Sequence, residues 1–307
     1  MERLNQFYID GKWVAPVSDL NMPVINPATE RQVGTLALGI REDVDHAVAA
    51  AKAAFSSYSV SSKTMRIDLL HKVKDITKRR FEDLAQAMRV EMGAPITMSR
   101  NAQTDAALGH LESFIDSLEK LQDRVTLANG DVMVREPIGV CGLITPWNWP
   151  VNQIVLKVLP ALATGCTCVL KPSEHTPISA MIYAEIIDEA GYPPGVFNLI
   201  NGEGPIVGSA MSQHHDIQMM SFTGSVGGGT AVTRDAAQTV KRVTLELGGK
   251  SPNLVFADCN LEERILASVA ECMYNTGQSC DAPTRLLVEK SCYDEVLKIA
   301  KQAADSI

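Results

Sequence analysis

The chain has 307 residues, 46% hydrophobic and 21% charged, with a formal net charge of -8. That balance suits a soluble globular protein with room for two domains, and it argues against a nucleic-acid face, which needs clustered Lys and Arg. No apolar run is long enough to span a membrane, because the best candidate, 155–170, is broken by Lys157, Pro160 and Gly165.

The opening stretch MERLNQFYIDGKWVAP lacks an apolar core and a small-residue cleavage site, so no secretory leader is expected. The seven cysteines are an odd number and include no CxxC pair, and Cys166 and Cys168 fall on one face of a strand. That pattern suits neither a disulfide framework nor a four-ligand metal site, so the expectation is a cytoplasmic protein with no metal.

In chain order, 7–14 predicts a hairpin turning at Asp10-Gly11, since Asp-Gly supplies the positive φ of a tight turn. Three helices are then predicted by three- and four-residue apolar spacing: 41–58, 63–92 (stopped by Gly93 and Pro95) and 96–121. The segment VTLANGDVMVREPIGV alternates about Asn129-Gly130-Asp131 and reads as a β-ribbon, either an oligomer arm or a plain surface hairpin.

From Gly139 short apolar strands (139–145, 167–171, 196–200, 217–222, 242–247) alternate with helices near 152–163, 177–190, 205–212 and 226–238. This order implies a parallel, doubly wound α/β sheet, which binds ligands at the carboxyl ends of its strands. A second unit follows Gly248-Gly249: strand 252–256, helix 261–274, a turn holding Cys280, strand 284–289, and a helix from Cys292 with Ser291 and Asp294 at a capped start.

The strand ends carry the chemistry. TPWNWP after the first strand is either aromatic packing or a setting for Asn148 as an amide donor toward an oxyanion. In KPSEHTP, Lys171 and Glu174 suit ribose hydroxyls, and Glu174 repels a 2′-phosphate. In SFTGSVGGGTAV, Gly224, Ser225 and Gly227 to Gly229 allow a backbone to approach a pyrophosphate at a helix N-terminus, although such loops are often only turns. Glu246 ends the fifth strand in LELGGKSP, where a strand-end Glu is ordinarily solvated. Cys280 lies in a polar turn with no positive charge adjacent in sequence.

Together PWNWP, KPSEHTP, FTGS followed by Gly229, LELGGKSP and GQSCDAPTR resemble the NAD(P)-dependent aldehyde dehydrogenase superfamily, and the interval from Glu246 to Cys280 is typical of it. The resemblance implies a Rossmann-like cofactor domain (1–118 and 138–247), an oligomerisation arm (119–137) and a catalytic domain beginning at 248. It implies Cys280 as nucleophile, Glu246 as general base (partly buried) and Asn148 in the oxyanion hole. Ile144, Thr145, Pro146, Trp147 and Asn148 would line the nicotinamide side. Lys171, Ser173 and Glu174 would meet the adenosine ribose, and Gly204 the adenine. Phe222, Thr223, Gly224, Ser225 and Gly229 would form the pyrophosphate loop, with Leu247 near nicotinamide. Trp149, Tyr274 and Asp281 would line the aldehyde pocket.

The implied activity is oxidation of a small-molecule aldehyde to an acid, with NAD rather than NADP, in a homo-oligomer (dimer or tetramer) that binds neither nucleic acid nor membrane. Glu246 favours water over coenzyme A for releasing the product. Family members continue past this chain's last residue with a Glu-x-Phe-Gly-Pro segment and a further arm strand. The catalytic domain is therefore expected to be truncated, and a non-catalytic nucleotide-binding fragment is the alternative.

Overall fold

In the computed structural model, which describes residues 3–307, Asp10 and Gly11 take φ values of 53° and 70°. They fold β1 (Phe7–Ile9) back on β2 (Lys12–Val14). A second hairpin, β3 (Asn21–Asn26) and β4 (Arg31–Ala37), is absent from the sequence reading. Within β3 only Val24 is buried and Pro23 interrupts the run, so apolar alternation gives little signal. Its turn is local: the Asn26 side chain accepts from the Ala28 N–H.

Helix α1 (Arg41–Tyr58) follows. The predicted helix 63–92 is two helices, α2 (Lys63–Arg79) and α3 (Phe81–Glu91). Arg80, at φ −92° and ψ 13°, leaves helical geometry and reaches Asp83 and Glu185. The predicted helix 96–121 is likewise divided into α4 (Ile96–Met98), a π-helical turn at Ser99–Thr104, and α5 (Asp105–Lys120). The strands β5 (Arg124–Thr126) and β6 (Val132–Val134) pair antiparallel as an exposed ribbon.

The alternating segment then gives β7 (Val140–Ile144), α6 (Pro150–Ala163), β8 (Thr167–Lys171), α7 (Pro177–Ala190) and β9 (Phe197–Leu199). After a π-helical turn at Gly204–Gly208 come α8 (Ser209–Gln213), β10 (Met219–Gly224), α9 (Val226–Ala236) and β11 (Arg242–Leu247). One sheet orders these strands β11-β10-β7-β8-β9-β1-β2. The pairs β10/β7, β7/β8 and β8/β9 are parallel, whereas β1 is antiparallel to both β9 and β2. The N-terminal hairpin is therefore the edge of this sheet, held by the Asn198 side chain accepting from the Asp10 N–H at 3.0 Å.

Every residue of β7 and β8 is buried, and Leu159, Leu162, Leu170, Tyr183 and Phe197 are among the largest fully buried side chains. Truncating such a leucine to alanine costs about 2–5 kcal/mol. Chain order reverses between β7 and β10, which makes their carboxyl ends the switch point of the sheet.

The chain divides into two units, one ending at Glu246 and the other covering Leu247–Ile307. In the second, β12 (Pro252–Val255) runs parallel to β13 (Arg285–Val288). They are joined by α10 (Leu261–Met273) and followed by α11 (Tyr293–Asp305). A small core of Val255, Ile265, Cys292 and Val296 holds it together. Ser291 does not cap α11 as expected; its hydroxyl donates to Glu289 at 2.7 Å. Among the described residues no helix is long and apolar enough to cross a membrane.

Candidate active site

At the end of β7 the Thr145 N–H donates to the Lys171 carbonyl at 3.2 Å, tying the ends of β7 and β8 together. Thr145 is buried, Pro146, Asn148 and Trp149 are half-buried, and Trp147 is exposed. The chain turns straight into α6 because Pro150 is preset for a first helical turn. Gln103, fully buried in the π-helical turn, donates to the Asn148 carbonyl at 3.0 Å.

Lys171 is buried at the end of β8. Its ammonium donates to Glu174 at 3.0 Å, to the Gly202 carbonyl at 2.8 Å and to the Pro172 carbonyl at 3.1 Å. Three bonds use all three protons of an ammonium. Burial pushes the Lys171 pKa down, against the pull of Glu174 and Glu203. For Glu174 burial acts upward, and the Lys171 charge with a backbone N–H reverses it, leaving the carboxyl below its usual range. Ser173, also buried, accepts from the His175 N–H at 3.3 Å.

At the end of β10 the backbone is shaped by the half-buried Phe222 ring. A Cβ on Gly224 or Gly228 would come within 2.7 or 2.6 Å of the tip of that ring, so the ring keeps this position only while both are glycine. Ser225 caps α9, its Oγ accepting from the Gly228 N–H at 3.1 Å and its carbonyl from the Gly229 N–H at 2.9 Å. Thr223 is buried with no hydrogen-bond partner for its hydroxyl. A cavity of about 310 Å³ opens at this switch point, bordered by Ile144, Gly204, Phe222, Gly228 and Asp235. The N-terminal end of α9 adjoins it, a setting that favours an anion.

Glu246 is exposed, not partly buried as expected, because it lies on the outward face of the edge strand β11. Lys157, which no sequence motif marks, is buried on α6, and its ammonium donates to Ser221 Oγ at 2.9 Å. Burial pushes it down to about 8, and the Glu246 charge acts in the opposite direction.

In the second unit Cys280 is exposed, just after a turn in which Asn275, Thr276 and Gly277 take φ of 52°, 60° and 71°. Left-handed non-glycine residues each cost about 1–3 kcal/mol and persist where surroundings enforce them. Here Asn275 does so: it is buried, its carbonyl accepts from the Gln278 backbone N–H (3.1 Å) and side chain (3.0 Å), and its own amide donates to the Gln278 carbonyl (3.4 Å). The cysteine motif gave no hint of this role for Asn275. Tyr274 and Asp281 are exposed, and Leu247 is half-buried.

Residues 13–307 match the family model described as "Aldehyde dehydrogenase family". The chain belongs to the aldehyde dehydrogenase family. Over all of its length it is 49% identical to a 3-succinoylsemialdehyde-pyridine dehydrogenase from Pseudomonas, of which it covers 64%. It is similar in structure to an aldehyde dehydrogenase from Bartonella henselae, with a TM-score of 0.96, 46% identity, and coverage of 98% of this chain and 64% of the other. Aldehyde dehydrogenase C from Pseudomonas syringae, solved with NAD+ and octanal, gives a TM-score of 0.97 and 47% identity over 100% of this chain and 63% of that one. The chain thus spans just under two thirds of the length of these family members.

Two other features of this chain lie outside the strand ends. His214, His215 and Asp216 cluster closely enough to suggest a metal site. However, His214 Nδ1 accepts from the Asp216 N–H, which leaves the ring proton on Nε2, and Lys52 already pairs with Asp216 at 2.6 Å. That donor set does not suit a cation. A cleft of about 360 Å³ bordered by Arg3, Arg80 and Glu185 has its charges paired with one another, with Arg80 3.1 Å and Arg3 3.7 Å from Glu185.

Proposed function

We propose that this chain carries the cofactor-binding unit and the nucleophile-bearing segment of an NAD-dependent enzyme oxidising an aldehyde to a carboxylic acid. The observation that carries the reading is the switch-point cavity between β7 and β10, glycine-bordered beside a helix N-terminus, with the Lys171–Glu174 pair on the next strand. Its walls suit a dinucleotide. Pro205, Phe222, Ala231 and Val232 present flat apolar surface for a base, and Ser225 with the first turn of α9 offers donors to a pyrophosphate. NAD, when bound there, supplies the hydride acceptor. Complex structures of relatives with NAD+ support the same cofactor here.

Glu174 is the acceptor for the adenosine ribose hydroxyls, and Lys171, with its protons committed, is the group that holds it in place. A 2′-phosphate would meet that carboxylate, which favours NAD over NADP. The domain limits follow the same reading: cofactor domain at 1–118 and 138–247, arm at 119–137, catalytic segment from 248. The ribbon β5–β6 exposes Val132, Met133 and Val134 and is assigned as the arm of a homo-oligomer.

The chemistry falls to this chain's own side chains. The Cys280 thiolate adds to the aldehyde carbon, and the resulting oxyanion takes hydrogen bonds from the Asn148 side chain and the Cys280 backbone N–H. Loss of hydride from that carbon leaves a thioester on Cys280. Glu246 takes a proton from water, the hydroxide adds to the thioester, and the carbon–sulfur bond breaks to release acid and thiolate. Ile144 to Trp147 and Leu247 would hold the nicotinamide end of the cofactor, and Trp149, Tyr274 and Asp281 would line the aldehyde pocket.

The purified 307-residue chain, given NAD and a straight-chain aldehyde such as octanal, tests the reading. Steady NADH formation supports it. Dinucleotide binding without turnover selects the alternative, a nucleotide-binding piece whose activity needs more chain.

A further inference from the structure

The switch-point cavity has a polar wall that a generic dinucleotide site does not require. Asp235, on the last turn of α9, is nine-tenths buried and borders the cavity together with Ser209 and Arg234. Its carboxylate is oriented by a chain of hydrogen bonds. Arg41 donates to Gln213 Oε1 at 2.7 Å, Gln213 Nε2 donates to Ser209 Oγ at 3.1 Å, and the Ser209 hydroxyl donates to Asp235 Oδ2 at 2.5 Å.

The single Ser209 hydroxyl proton is committed to Oδ2, which leaves Oδ1 to accept from a ligand. The nearest cation to it is Arg234 Nε at 3.8 Å, beyond hydrogen-bond length, on a side chain that is 77% exposed. The Ser212 hydroxyl on this wall donates to the Gly208 carbonyl at 2.8 Å and offers no proton to a ligand. The edge of a base lying between Pro205 and Val232 therefore meets the Asp235 carboxylate as an acceptor, with the Arg234 guanidinium, turned largely to solvent, on the same wall.

We propose that Asp235 is a specificity-determining residue that reads the exocyclic amino group of adenine. The inference rests on the reading that this cavity holds the adenosine end of the cofactor. An amino N–H donates to Oδ1, completing a charge-assisted hydrogen bond to a carboxylate that is nine-tenths buried. A 6-oxo purine of the same shape brings a carbonyl oxygen to the same place, where two lone-pair bearers meet with no proton between them.

The test compares NAD with its hypoxanthine analogue, which differs only in that amino-to-oxo exchange, by calorimetric titration of the 307-residue chain without aldehyde. The unmodified protein should bind the hypoxanthine analogue roughly tenfold to a hundredfold more weakly. Asp235→Asn, whose amide can donate to an oxo group, should lose or invert that preference. Ser209→Ala, which frees the carboxylate to turn, should narrow it. Equal affinity of the unmodified protein for both dinucleotides overturns this inference and leaves the cofactor reading standing. Binding of neither removes the cofactor reading itself. A preference that survives Asp235→Asn in a folded variant also overturns the role of Asp235.

Discussion

Lys157 is an ammonium with almost no access to water, and it donates a hydrogen bond to the Ser221 hydroxyl. Burial pushes its pKa from 10.5 down to about 8. The unfolded chain keeps that proton up to about pH 10.5 and the folded chain releases it near 8, so the group's penalty is greatest below pH 8 and fades as pH rises. Replacing Lys157 by Met should flatten that dependence. The stability difference between the two proteins, read from denaturant midpoints, should shift by roughly 2–3 kcal/mol between pH 8 and 10.5. An unchanged difference would mean that water reaches the ammonium. The same lysine feels the charge of Glu246, whose proposed role makes a separate prediction. Glu246→Gln should leave a burst of NADH intact and slow the later phase at least about a hundredfold, since only thioester hydrolysis needs the base. Equal slowing of both phases would remove Glu246 from the hydrolytic step.

Among the elements, α7 depends most on a distant partner. Its first residue is Pro177 and its cap Thr176 makes no side-chain bond, so the early N–H groups need another acceptor. Glu91, the last residue of α3, provides it, its carboxylate accepting from the Ile178 and Ser179 N–H groups. Burial pushes Glu91 up to about 7, against the bonds from Ser179 and Ile178. The folded chain then holds a proton that the unfolded chain gives up near pH 4.5, so this group's contribution to stability is lost as pH rises from 4.5 to 7. Glu91→Gln should abolish that slope, so its stability deficit relative to the unmodified protein shrinks toward pH 7. Glu91→Ala should cost about 2–4 kcal/mol by orphaning two buried donors. Thermal melts at pH 5 and 7 check both. Such a cap is invisible to local pattern, as is the break at Arg80: apolar spacing runs on through 63–92, and only contacts with Asp83 and Glu185 interrupt it. Strands β7, β8 and β10 were legible because they are short apolar runs bounded by turn residues. The site was legible where glycine and strand end coincide. Lys157, Gln103 and Asn275 were not, because each acts through a partner far along the chain or through backbone geometry.

For the molecule as a whole, the proposal divides labour between units: the cavity and the Lys171–Glu174 pair belong to the first, the thiol to the second. Cys280→Ala should therefore abolish dehydrogenation and leave NAD affinity within about twofold, a change too small to register a lost contact. The seven cysteines sharpen the test, because all are unpaired but differ in access. Cys141, Cys166, Cys168 and Cys292 are buried, Cys272 is partly covered, and Cys259 and Cys280 are exposed. Alkylation requires both a thiolate and access. Iodoacetamide on the native protein should thus label Cys259 and Cys280 first, Cys272 more slowly, and the other four only in denaturant, as peptide mass spectrometry will show. Where the chain turns over aldehyde, inactivation should follow Cys280 labelling alone and be unaltered by Cys259→Ser. Full activity with Cys280 alkylated would remove the nucleophile from the proposed reaction and leave the dinucleotide crevice untouched.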